Sequence, residues 1–277
     1  MTARRAILSV GYVELEWKIG FWPLLSYEKS GFKEAKKLRG LSLGCGTGNK
    51  ELLWAELGNF SVIDAIDISK PRVEEAARKA ERLGYGDIVR YRVGDVRGVK
   101  LPASSYDVVF ADSSLHHLSP LREILLKIDA WLAPAGLLVV NDFVGPTRFQ
   151  WTDRQLEAAN ALLSLLPMKY KTLPGGGEVR SRIYRPSRLH MILSDPSEAV
   201  ESSSILPCLH EIFEVLEMRE YGGTVLHLLF ADIAHNFISA APEDKRWLEL
   251  CFRAEDLLLA EGDLSSDFIV AVCRKRP

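Results

Sequence analysis

The chain is poor in the features that settle a protein's class at once. Its 277 residues include only four cysteines, Cys45, Cys208, Cys251 and Cys273. They are scattered, with no Cys-x-x-Cys pair and no histidine at metal-ligand spacing. This excludes a cysteine-based zinc module, predicts no metal, and argues for free thiols in a reducing compartment. An excess of one charge is also missing. The 35 lysines and arginines against 37 aspartates and glutamates leave a net −2, so no whole-protein field draws in nucleic acid or an acidic membrane. No apolar run is long enough to cross a bilayer. Near the N-terminus, Arg4 and Arg5 precede a short apolar stretch that ends at Glu14 and Glu16, without a small-residue cleavage pattern, and no signal peptide is expected. Internal repeats and low-complexity tracts are absent. The expectation is a cytoplasmic, soluble protein with one large α/β domain, or such a domain carrying an inserted cap.

Against these absences stands Leu41-Ser42-Leu43-Gly44-Cys45-Gly46-Thr47-Gly48-Asn49. A short apolar run ends in glycines at alternate positions and an amphipathic segment follows. This reads as a strand, a tight turn whose backbone approaches a ligand, and a helix. Thr47 is the expected helix cap, with Leu52, Leu53, Trp54 and Leu57 on the helix and Gly58 as its stop. Further strands are expected at 60–66, 88–93, 106–111 and 136–141. Helices capped by Ser69 and by Ser119-Pro120 separate them. Strands apolar throughout and alternating with helices predict a parallel sheet covered on both faces, with ligands beyond the carboxyl ends of the strands. Asp67, Asp95, Asp112 and Asp142 all fall at those ends. From Gly145 to Pro207 the alternation breaks, prolines recur and Gly175 to Gly177 form a triplet; a helix over about 152–166 is the main regular element. Two late strands, 215–221 and 268–273, with helical segments over 225–237 and 242–260 between them, return to the sheet.

Over roughly Arg39 to Asp142 the chain resembles class I S-adenosylmethionine (SAM) methyltransferases. The resemblance implies an α/β, Rossmann-like, seven-stranded and mostly parallel sheet with helices on both faces, its last strand antiparallel, and a cap inserted after the fifth strand. It implies SAM as cofactor, with Gly44, Cys45, Gly46, Thr47 and Gly48 passing under its amino-acid part. Asp67, followed by Ile68, would accept both ribose hydroxyls, a task suited to an acceptor-only carboxylate. Asp95 with Val96 would meet adenine, and Ala111 with Asp112 would run beside the methionine moiety. Residues 141–151 and 195–198 also look like a subgroup of bacterial methyltransferases. The implied organisation is an N-terminal helical segment over the cofactor (1–38), a SAM-binding core (39–144), a cap (145–207) and a C-terminal part of the sheet (208–277). Cys45 is common in the wider family and carries no redox role.

Methyl transfer from SAM is an in-line displacement that needs alignment and exclusion of water, and an alcohol acceptor needs a base with a pKa near neutral. His116 and His117 stand where the family's acceptor pocket opens. Each is either that base or a structural ring bonded to the loop. His190 is a further candidate. Phe149, Trp151 and Tyr184 either line the acceptor pocket or anchor the cap, and Trp17, Phe21, Trp22 and Tyr27 cover the cofactor or pack the core. Lys169, Lys171, Arg180, Arg182, Arg185 and Arg188 would suit an anionic acceptor, or form a solvated surface. His227 reads as a buried structural ring. The expected activity is methyl transfer to a small-molecule acceptor, at oxygen rather than nitrogen or carbon, by a monomer or homodimer without nucleic-acid or membrane partners. Two other classes stay open, a nicotinamide-dinucleotide oxidoreductase and a non-catalytic SAM-binding subunit.

Overall fold

The computed structural model describes residues 37–238 and 241–277. These fall into two compact units. One comprises 37–144, 195–219 and 269–277, and the other 145–194 and 220–268.

The first unit holds a seven-stranded sheet. Its strands are β1 (Leu38–Leu43), β2 (Phe60–Asp67), β3 (Val89–Val93), β4 (Tyr106–Asp112), β5 (Leu132–Phe143), β6 (Phe213–Glu220) and β7 (Phe268–Lys275). Their order is β3-β2-β1-β4-β5-β7-β6, and β3-β2, β2-β1, β1-β4 and β4-β5 all pair in parallel. Chain order reverses beside β1, where β2 lies on one side and β4 on the other. Neither edge of β1 is blocked there by a crossover, so a crevice opens beyond its carboxyl end. Leu41, Leu43, Val109, Leu138 and Val140 are all but inaccessible, as strands covered on both faces require.

The helices of this unit follow their sequence cues, with one correction at the glycine loop. Helix α1 (Asn49–Glu56) is entered from Gly48 at φ 76°, with no side-chain cap, so Thr47 is not the cap. A Cβ on Gly48 would lie 2.5 Å from the Tyr91 hydroxyl and 2.7 Å from Ala76 Cβ; the left-handed turn and the close packing leave room only for glycine. Helix α2 (Lys70–Arg82) starts at Ser69 with Pro71 in its first turn and buries Val73, Ala76 and Ala80 on one face. Helix α3 (Leu121–Trp131) buries Leu121, Ile124, Leu125, Ile128 and Trp131. Strand β5 begins four residues before the expected 136, because Leu132 already pairs with Tyr106 across a register shift.

The second unit corrects the expected domain boundaries. Its helices are α4 (Asp153–Leu165), α5 (Arg188–Ser194), α7 (Leu226–Phe230) and α8 (Pro242–Ala260); α6 (Ile205–Ile212) belongs to the first unit. The sequence places 208–277 in the C-terminal part of the sheet. Instead Leu228, Leu229, Phe230, Phe237 and Cys251 form one core with Ala159, Leu162, Leu163 and Tyr170. Helix α7 packs against α4, and α8 against α7 and the Ala234–Phe237 turn, whereas residues 195–219 return to the first unit. The helix expected over 225–237 is split into α7 and a 3-10 turn at Ala234–Phe237, with Asp232 at φ 62° between them. Helix α4 carries a capping box, in which Thr152 Oγ1 accepts from Gln155 N and Gln155 Oε1 accepts from Thr152 N. The N-terminal segment 1–38, with Trp17, Phe21, Trp22 and Tyr27, lies outside the described residues except for its last two.

Candidate active site

The ends of β1, β2, β4 and β5 in the first unit build the site. At the end of β1 the glycine loop turns back through left-handed backbone at Gly44, Gly46 and Gly48. Gly46 N donates to Asp67 Oδ2 (2.8 Å), and Ser69 N donates to Asp67 Oδ1 (2.8 Å). One N–H on each oxygen fixes the carboxylate and leaves each oxygen a further lone pair. Tyr91 Oη donates to Gly48 O (2.9 Å), and Lys79 Nζ to Thr47 O (3.1 Å) and Asn49 Oδ1 (2.8 Å). Tyr91 and Lys79 had no motif to mark them; only the fold brings β3 and α2 under the loop.

This cradle fits the cofactor that the resemblance implies. A Cβ on Gly46 would meet nothing within 4 Å, so the loop faces open space there. Ile68, beside Asp67, exposes 68% of its surface, and Val96 is buried in the core. Cys45 is held protonated, its pKa raised by burial and by the charges of Glu51 and Asp67. Asp95 forms a two-pronged pair with Arg97, at 2.7 Å from Nη2 to Oδ2 and 3.0 Å from Nε to each oxygen. Ala111 is buried at the end of β4, and Asp112 is paired with Lys50 from α1.

Next to the loop lies a histidine turn. A Cβ on Gly44 would sit 2.8 Å from Ser114 Cβ, so loop and turn are packed together. His116 and His117 sit on a 3-10 turn (Leu115–His117) with ring centroids 4.1 Å apart. Asp142, 1% exposed, accepts the N–H groups of Ser114 (3.0 Å) and Leu115 (2.7 Å) on Oδ2 and that of Phe143 (2.8 Å) on Oδ1, and Oδ1 also bonds to His116 Nδ1. The strand-end aspartate of β5 therefore serves the histidine. With Nδ1 committed, Nε2 is the ring nitrogen turned outward, and Glu198 Oε1 stands 3.6 Å from it. Burial pulls the His116 pKa down, but Asp142, Glu198 and Asp195 outweigh it and leave it raised. Burial and the charge of His116 hold His117 below its ordinary value. Two adjacent imidazoles with opposite tendencies are suited to proton handling. The sequence marked both histidines, and it marked residues 195–198 only by a subgroup resemblance that gave Ser197 and Glu198 no role beside them.

The acceptor-side candidates lie in the second unit, and the structure does not gather them into one cluster. Phe149 and Trp151 stack (5.3 Å, 7°), and His227 meets both edge-on at 5.3 and 6.0 Å. Tyr184 is 70% exposed, with the Arg182 guanidinium 5.6 Å from its ring. His190 is exposed on α5, and Arg185 pairs with Asp153 (2.5 Å) and donates to Trp151 O (2.6 Å). Lys169 pairs with Glu243 (2.6 Å), and Arg180 donates to the carbonyls of Leu228 and Ala231 that end α7. Most of the cationic signature is thus spent on neighbours within its own unit.

Among the described residues no helix is long and apolar enough to cross a membrane. Residues 41–140 match the family described as a methyltransferase domain. The chain is 32% identical over 104 residues to 27-O-demethylrifamycin SV methyltransferase of Amycolatopsis mediterranei, covering 38% of this chain and 38% of that protein. It is 21% identical over 217 residues to erythromycin 3''-O-methyltransferase of Saccharopolyspora erythraea, covering 76% and 68%. The match therefore spans well under half the length of the first relative. A solved SAM-dependent methyltransferase from Mesorhizobium loti shares the fold at a TM-score of 0.50 and 17% identity, over 92% of this chain and 97% of that one. Residues 41–140 are a class I SAM-dependent methyltransferase domain, and the dinucleotide alternative drops out.

Proposed function

We propose that this chain, built on a class I SAM-dependent methyltransferase domain, transfers a methyl group to the hydroxyl of a small-molecule acceptor. The observation that carries the reading is the buried Asp142–His116 pair on a turn packed against the glycine loop. SAM, when bound, supplies an electrophilic methyl that needs no further activation. The chain's own residues do the rest. Asp67 accepts the ribose hydroxyls with the lone pairs that Gly46 N and Ser69 N leave open. Asp142 keeps the proton of the neutral ring on Nδ1, so Nε2 takes the acceptor's proton, and the buried carboxylate stabilises the imidazolium that results. A neutral amine acceptor would need no base at this step, which is why the pair favours oxygen. The relatives include O-methyltransferases, such as a 3''-O-methyltransferase, and an N-methyltransferase, so the preference for oxygen rests on the Asp142–His116 pair.

The test uses purified protein, isotopically labelled SAM and a panel of hydroxylated small molecules, with label transfer read by mass spectrometry. Transfer to oxygen that falls at least 100-fold in His116→Ala, with SAM affinity unchanged, supports the reading. Transfer to nitrogen or carbon, or full activity in His116→Ala, defeats it.

A further inference from the structure

The sequence predicts no metal, because its cysteines are scattered and its histidines lack ligand spacing. The folded chain brings together a donor set that spacing could not reveal. We propose that His116, His117 and Glu198 form a site for a divalent cation of the zinc class, with His116 Nε2 as one ligand.

The donor atoms of the three side chains all lie within 4.8 Å of one another, and His116 Nε2 and Glu198 Oε1 are 3.6 Å apart. Two ligands at about 2.1 Å from a tetrahedral ion are separated by roughly 3.4 Å, so a small closing movement brings the set onto one ion. Each ligand is positioned. Asp142 bonds to His116 Nδ1, which puts the lone pair of the neutral ring on Nε2; a carboxylate behind a ligating imidazole is the usual outer partner of a metal-bound histidine. The Glu198 loop is tied to the histidine turn by Val200 N, which donates to His116 O (3.0 Å), and is closed on itself by Glu198 N donating to Asp195 O (3.2 Å). Ser197 Oγ lies 3.3 Å from His117 Nδ1. Two imidazoles and one carboxylate select zinc, cobalt, iron or manganese over calcium or magnesium. Three protein ligands leave at least one position open, and the half-buried His117 and Glu198 give access from solvent.

One consequence rests on the proposed methyl transfer. His116 Nε2 cannot hold a cation and accept the acceptor's proton at once, so filling the site slows transfer.

The test is calorimetric titration of ZnCl2 into the EDTA-treated full chain, repeated with CoCl2 by visible absorption. Expected are one ion per chain, a dissociation constant of about 10 µM or tighter, and a cobalt spectrum with nitrogen and oxygen ligands. His117→Ala and Glu198→Gln should each weaken binding by 10-fold or more, while a Cys45→Ser, Cys208→Ser variant should bind zinc as the parent does. The site is refuted if the parent shows no saturable binding below about 100 µM, or if the folded double variant His117→Ala, Glu198→Gln binds zinc unchanged. Zinc that lowers transfer in the parent, and by a smaller fraction in Glu198→Gln, supports both site and consequence. Zinc that binds through these residues yet accelerates transfer confirms the site and refutes the base assignment.

Discussion

His116 Nδ1 and Asp142 Oδ1 are hydrogen-bonded across 26 residues of chain, and the same carboxylate receives the backbone N–H groups that start the histidine turn. One buried anion therefore sets both the shape of the turn and the tautomer of the ring. Asp142→Asn separates these duties. An asparagine oxygen can still accept from Ser114 and Leu115, but its amide then offers a donor to His116 Nδ1 and drives the proton to Nε2. Methyl transfer should fall about 100-fold or more, with SAM affinity within twofold of the parent. An unchanged turnover number would show that the tautomer does not matter.

Asp67→Ala removes the acceptor of the Gly46 and Ser69 N–H groups along with the proposed ribose ligand. SAM affinity should drop by more than tenfold while the circular dichroism spectrum stays that of a folded protein, with stability lower by about 1–3 kcal/mol for the N–H groups left without an acceptor. Calorimetric titration with SAM reads the outcome.

Gly46 and Gly48 share left-handed backbone but not surroundings. At Gly46 an added Cβ meets nothing within 4 Å, whereas at Gly48 it meets Tyr91 and Ala76 at 2.5 and 2.7 Å. Gly46→Ala should cost only the backbone strain, about 1–2 kcal/mol, yet weaken SAM by crowding the cradle. Gly48→Ala should lose about 2–4 kcal/mol, since overpacking adds to strain. Urea melts of the two variants would distinguish the ligand-facing glycine from the packing glycine.

Glu51, buried on α1, takes a 2.5 Å hydrogen bond from Ser42 Oγ, while its Oε2 has no partner among the described residues. Burial, far more than the charge of Asp67, raises its pKa against the opposing bond from Ser42. A carboxyl with a raised folded pKa favours the folded state below its unfolded pKa and loses that contribution as pH rises through the folded value. Glu51→Gln should therefore gain stability relative to the parent between pH 5 and pH 8. Parallel melts across that range would show it, and two curves of equal slope would contradict the assignment.

In the second unit Glu255 accepts N–H groups from Gly223 (2.6 Å), Val225 (2.6 Å) and Leu226 (2.9 Å) while 3% exposed. Glu255→Gln turns an amide toward these donors and should destabilise by about 2–4 kcal/mol. Hydrogen exchange should locate the loss at the start of α7.

Most of the sheet could be read before folding. Apolar runs closed by glycine or aspartate marked β1, β2 and β4 to within a few residues, because a strand buried on both faces carries its signal locally; β3, the edge strand, is largely exposed and alternates Val, Arg and Tyr. Gly44 to Gly48 and Asp67 were legible for the same reason, since a sharp turn and a strand-end carboxylate each need particular residues in place. The second unit was hidden. Helices α7 and α8 have apolar faces that would suit either the sheet or α4, and periodicity does not name the partner.

The sequence by itself determined the α/β alternation, the cofactor loop and the histidine pair, all of which depend on neighbours within about twenty residues. Tertiary structure alone decided what the histidines face. In the sequence Asp142 is only one more strand-end aspartate; the pairing of β5 with β4 sets it behind His116. Glu198 had no marked role until residues 195–219 folded back onto the first unit. The chemistry of a ring nitrogen depends on the charges within a few ångströms of it, and chain order does not encode which distant residues supply them.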